Sequence, residues 1–297
     1  MAETIQEVLG EVPDIAGVRP DSKTDIFSTA FDLYRDTVGV VTAIANIYTA
    51  ETAHDPLPRG QAILVGLLMR IAKFMTAVMQ LSDGQRDKGE VILALNRSIM
   101  ESVVNLKVLI AKDDPRVFSQ FVEFSLGPER ELYDAIQQNI GQRGSTLPIE
   151  ERMIRSIDRI CRLSGVAIDQ VRAKYGDWGG GLKERLKAVG LEDGYVHFQR
   201  VPSHAVHGSW VDLLLHFLDE SGNGFKPRSR PTSTDPRLWL PTALLVLDST
   251  QEYLAKYFRN FDELALFMRR IEILRDRVVQ LDKIHEDWMS STELSAE

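Results

Sequence analysis

Residues 91–111, VILALNRSIMESVVNLKVLIA, carry apolar side chains nearly all the way round a 3.6-residue wheel and leave only a narrow polar sector. A helix of that kind has to be surrounded by other helices, so it predicts a multi-helix protein with this segment near its centre. The other long segments repeat apolar residues at three- and four-residue spacing, and no series of alternating strands joined by hairpin turns stands out. The fold class read from the pattern is all-α, a single-domain multi-helix bundle.

Helices are expected at about 24–51, 59–82, 86–111, 114–142, 149–175, 181–189, 203–220, 236–259 and 261–289. The breaks between them have ordinary chemical causes: HDPLPRG, the aspartate and proline of DDPR, GQRGSTLP, and GDWGGG. SGNGFKPRSRPTSTDPR (221–237) reads as a long basic loop. Neither GDWGGG nor this loop has the composition of a free linker, so one domain is expected over 24–289, with 176–181 the place for any subdomain break. Residues 1–23 read as a tail or short helix and 290–297 as a tail.

A net charge of −8 disfavours a general electrostatic grip on nucleic acid, although a local basic patch can serve a small site. The one cysteine, Cys161, has no intrachain partner and no cluster of metal ligands around it, which fits a reducing, cytoplasmic compartment. AILVGLLMRIAKFMTAVMQL (62–81) is the most lipid-like stretch. Arg70 and Lys73 near its middle favour a core helix over a membrane span, and the acidic start of the chain does not resemble a signal peptide.

Two places carry chemistry. Arg97 and Glu101 are neighbours four residues apart on the apolar helix, flanked by Ala94, Val104 and Val108. A buried arginine must be paired, since stripping one partner from a buried ion pair costs on the order of 3–5 kcal/mol. The pair either fixes helix packing or orients a polar group arriving from another helix. The second place is RVPSHAVHGSW (200–210), which reads as a helix entrance capped by Ser203, with His204 and His207 in the first turn.

A neutral histidine at a helix start can act as a base while Arg200 holds a phosphate or carboxylate. The same histidines can equally be packing residues of the apolar helix WVDLLLHFL. A metal is not expected, because the pair has only His197 and Asp212 nearby as further ligands, and no cofactor motif is present. Lys226, Arg228 and Arg230 in the basic loop are candidate contacts for an anionic ligand, against the alternative of a solvated loop. The last helix, with both charge signs around an apolar stripe, reads as a packing or dimer helix.

LNRSIMESVVNLKVLI (95–110), followed about ninety residues later by YVHFQRVPSHAVHGSW (195–210), resembles a bacterial family of helical domains of unknown function. That family pairs an R-S-x-x-E helix with a later tyrosine, serine and histidine-glycine. More distantly the chain resembles HEPN domains, helical proteins that include RNA-cleaving toxins, antiphage effectors and nucleotide-binding modules. Their nucleases use an arginine followed after four to six residues by histidine, assembled across a dimer. Arg200 and His207 have six residues between them, while Arg200 and His204 have three, and Pro202 interrupts the motif.

The resemblance implies metal-independent RNA cleavage by a homodimer. His207 would serve as acid or base on the ribose 2′-hydroxyl, Arg200 would stabilise the phosphate, and Arg97 or Glu101 would orient the site. Two functions are therefore expected to compete: an RNA-processing or defence-associated protein of HEPN type, and a non-catalytic helical binding or scaffold protein with structural histidines and a protein partner.

Overall fold

A computed structural model describes residues 9–47, 56–82, 88–171, 178–228, 235–259 and 263–294. Helices α1 (Lys23–Ala45), α2 (Arg59–Ser82) and α3 (Gly89–Lys112) form the first half of the core. Ser22 caps α1, its Oγ accepting the Asp25 N–H at 3.3 Å. Among the described residues α2 is the one helix long and apolar enough to cross a membrane. It nevertheless packs between α1 and α3, with Leu64, Leu68, Ile71 and Met75 fully enclosed.

The expected single helix over 114–142 is two. Helix α4 (Pro115–Ser125) starts on an Asp114 cap, and α5 (Gly127–Arg143) restarts one residue after α4 ends. Pro128, lacking an N–H, fits a first helical turn without losing a backbone hydrogen bond, so the G-P step makes a new start there. Helix α6 (Pro148–Ser164) also stops short of the expected 175. Ile136 of α5 packs on Ile157 and Cys161 of α6, a small apolar cluster separate from the main core.

Helix α7 (Leu182–Ala188) leads into the segment that differs most from expectation. In place of one helix over 203–220 there are a π-helical turn (Val196–Arg200), α8 (Val201–His207), α9 (Trp210–His216) and a hairpin, β1 (Leu218–Ser221) with β2 (Gly224–Pro227), antiparallel and paired Ser221 to Gly224. The G-N dipeptide between the strands is a two-residue hairpin signal that the helical periodicity around it masks. The chain closes with α10 (Leu240–Tyr257) and α11 (Leu264–Leu294), which continues five residues past its expected end.

Helix α3 is central, as its apolar wheel requires: it touches α2, α10, α8 and α7 and buries Ile92, Ile99, Val103, Leu106 and Leu109. The same enclosure takes in Lys107, 5% exposed, whose Nζ lies 2.6 Å from both Asp248 and Glu252 of α10. Residues 9–14 lie along α11, where Arg270 donates to the Leu9 and Gly10 carbonyls and Arg277 to those of Val12 and Pro13.

Candidate functional site

The segment from 196 to 216 is built around Pro202. A proline inside a helix removes one backbone donor and pushes its ring at the carbonyl four residues back. Here the turn before it is widened, the Val201 N–H reaching the Val196 carbonyl five residues back, and this makes room for the ring. The helix is thus already running when it reaches Ser203, whose Oγ donates back to the Gln199 carbonyl and does not cap a helix start. Gly208, at φ 57°, ends α8 in the left-handed region, and the cap falls instead to Ser209, whose Oγ accepts the Asp212 N–H that opens α9.

The electrostatic setting expected for the two histidines is therefore reversed. His204 and His207 sit in the last turn of α8, where carbonyls converge, and not in a first turn rich in free N–H groups. His204 Nδ1 shares a 2.7 Å hydrogen bond with Ser209 Oγ and helps to join α8 to α9. His207 is exposed. Arg200 is exposed too, with its guanidinium over the Tyr195 ring at 5.7 Å.

A cavity of about 880 Å³ opens where α3, the 196–216 segment, residues 235–242 and α11 meet. Asn96, Arg97 and Met100 of α3 form one wall and His197, Phe198 and Val201 another. Phe198 is held in place by close approach to Gly194, where a Cβ would stand 2.1 Å from its ring. Leu215 and His216 of α9 add to that side. Asp235 and Arg237 come from the turn before α10, and Asp282 and Glu286 from successive turns of α11.

Several buried polar atoms without a hydrogen-bond partner gather here. Arg97 spends its Nε on Glu101 at 3.3 Å and leaves Nη1 buried and unpartnered. Asn96, 6% exposed, donates through Nδ2 to the Leu238 carbonyl at 2.6 Å while its Oδ1 has no donor. His216 Nδ1 is in the same condition. Each such atom costs about 1–3 kcal/mol, so their concentration at one cavity calls for a physical reason.

The carboxylates differ. Burial works against Asp235, but donation from the Arg237 side chain and backbone N–H outweighs it and holds the carboxyl below its ordinary range. Burial, reinforced by the neighbouring Glu286 charge, pushes the Asp282 carboxyl up. Among the described residues no three His, Cys, Asp or Glu side chains stand together in a set able to hold a metal ion.

The residues singled out in the sequence thus divide. Arg97 lines the cavity, and Glu101 pairs with it from a position 44% exposed. Arg200, His204 and His207 are not among the lining residues. Lys226 is exposed on β2. Arg228 is tied into the fold: it pairs with Asp219 and donates to the carbonyls of Leu214, Leu215 and Leu218, closing the end of α9. Arg230 lies outside the described residues. Asn96, Phe198, Asp282 and Glu286 were not legible as site residues, because no local spacing shows that α11 returns to α3.

Around the segment a series of large apolar side chains faces solvent, among them Val206, Trp210, Leu215, Phe217 and Phe225, with Trp210 and Phe225 edge to face at 5.3 Å. Residues 61–225, which include the α3 wall and the whole 196–216 segment, match the model of a family described as "Family of unknown function (DUF5677)". No curated protein and no solved structure matches the chain.

Proposed function

The chain belongs to the DUF5677 family, whose function is unknown, so its activity has to be read from its own side chains, and we propose that it is a helical binding protein whose ligand occupies the cavity between α3, the 196–216 segment and α11. The observation that carries this reading is the cluster of buried, unpartnered polar atoms on Asn96, Arg97 and His216 at one cavity. A cavity of this volume, its exposed wall mainly apolar but half of its lining side chains polar or charged, has the dimensions of sites for small organic molecules, about 300–1,000 Å³.

Thermal shift measurements against a library of small-metabolite classes test it. A ligand present at a hundred times its Kd adds about 2.7 kcal/mol. For a chain of this size that is a rise in Tm of roughly 5–10 °C. Leu215→Trp, at a lining position 58% exposed, fills the mouth without disturbing the core and is expected to abolish the shift. A shift that survives in Leu215→Trp, or none for any class, refutes the reading.

A second reading is RNA processing of HEPN type, with metal-independent cleavage by Arg200 and His207. What supports it is the exposure of both side chains on one short helical segment, where a polynucleotide can reach them. Such a site is completed by a second copy, for which exposed Trp210, Phe217 and Phe225 offer apolar surface. Expression of the wild type and His207→Ala in bacteria, with growth and total RNA compared, tests it. Intact RNA and equal growth, with soluble folded protein in both, count against cleavage.

A further inference from the structure

The charges around the cavity do not cancel. Arg97 is engaged by Glu101, and Arg237 is held by Asp235 through Nε at 3.0 Å and Nη2 at 2.9 Å. Among the described residues no lysine or arginine pairs with Asp282 or Glu286; His285 Nδ1 stands 3.7 Å from the Glu286 carboxylate and Nε2 3.9 Å from that of Asp235, ion pairs only if the imidazole is protonated. Two like charges four residues apart on a helix repel, and burial of Asp282 sharpens the repulsion. Asn96 Oδ1 is a further acceptor on the wall of the same cavity, in a side chain more than nine-tenths buried.

Acceptors of this kind call for a donor that carries positive charge. Arg97 Nη1 calls for the opposite, a carbonyl or carboxylate oxygen. Leu93, Met100, Phe198 and Val201 line the same cavity and offer a surface for a carbon skeleton. We propose that the cavity receives a short peptide with a free ammonium group, the ammonium held by Asp282 and Glu286 and a carbonyl or carboxylate of the same molecule by Arg97. This assignment rests on the cavity being a ligand site, as argued above.

A simple dicarboxylate meets two uncompensated carboxylates, and a simple polyamine meets the arginines, so neither satisfies both ends. The volume of about 880 Å³ suits a di- to tetrapeptide better than a single amino acid.

The test is isothermal titration calorimetry on the full chain at neutral pH with three probes: the tripeptide Ala-Lys-Ala, putrescine and succinate. The tripeptide is expected to bind at least about tenfold more tightly than either fragment, a preference of about 1.4 kcal/mol. The double variant Asp282→Asn/Glu286→Gln is expected to weaken it by at least about the same factor. Arg97→Gln is expected to bring tripeptide and putrescine level. Glu286 is exposed and Asp282 half-buried on α11, and circular dichroism establishes that the double variant folds.

Unchanged affinity in the double variant, succinate binding more tightly than the tripeptide, or no heat from the tripeptide at millimolar concentration overturns the peptide assignment. A ligand of another class whose thermal shift is lost in Leu215→Trp would then leave the binding function standing. No such ligand would remove both.

Discussion

Lys107→Met is the sharpest test of how α3, the helix that carries Arg97, is fixed. Lys107 Nζ is 5% exposed and 2.6 Å from carboxylates on successive turns of α10, themselves 38% and 43% exposed. Hydrogen bonds between charged groups contribute about 1.5–3 kcal/mol each. Because water reaches both carboxylates and can replace part of the lost interaction, the lower end applies, about 3 kcal/mol for the two. Removing the ammonium also leaves Asp248 and Glu252 as an uncompensated like-charge pair on α10, which adds about 0.2–0.5 kcal/mol.

The expected loss is therefore about 3 kcal/mol in urea melts, or roughly 6–10 °C in Tm. Methionine fills nearly the same space, so packing contributes little to that figure. A buried ammonium is poorly screened, and the loss should persist in 1 M NaCl. A loss under about 1 kcal/mol, or one that salt removes, would show that hydration of the carboxylates already accounts for their stability and that the triad does not fix α3.

Other outcomes follow from the same geometry. His285→Phe replaces a fully buried imidazole, neither nitrogen hydrogen-bonded and the carboxylates of Glu286 and Asp235 at 3.7 and 3.9 Å, in a pocket formed with Phe27 and Trp288; it is expected to raise stability by about 1–3 kcal/mol in urea melts, and a loss would mean that those carboxylates hold a protonated ring. Asp282 ionises above its ordinary range in the folded chain, so its charge destabilises the fold at neutral pH. Asp282→Asn is expected to be more stable than wild type near pH 7, with the advantage fading as pH falls below the ordinary carboxyl range of about 4, where Asp282 is protonated folded or unfolded; thermal melts from pH 3 to 8 read the difference. Ser209→Ala removes the cap of α9 and is expected to cost about 1 kcal/mol, with no cost refuting the cap.

The helical class and the central place of α3 were legible because enclosure on every side leaves a mark in one segment: apolar residues all round the wheel. Arg97 with Glu101 could be found for the same reason, a polar pair inside an apolar run. The 196–216 segment misled. Proline followed by serine is chemically a helix start, and what reverses the reading is a widened turn before Pro202 that no residue type announces. Lys107 is not legible in the sequence because its partners lie more than 140 residues away, as do Asp282 and Glu286 from Arg97; local periodicity carries no information about which helices meet.

The strap formed by residues 9–14 has a consequence for synthesis on the ribosome. Its anchors, Arg270 and Arg277, follow it by about 260 residues, which at roughly 5–20 residues per second is about 13–50 s of translation. Through that interval the carbonyls of Leu9, Gly10, Val12 and Pro13 have no guanidinium to accept from, and α1 emerges with the face that later meets α11 uncovered. Docking of the strap is therefore among the last steps in the birth of the molecule, because it has to wait until α11 has left the exit tunnel.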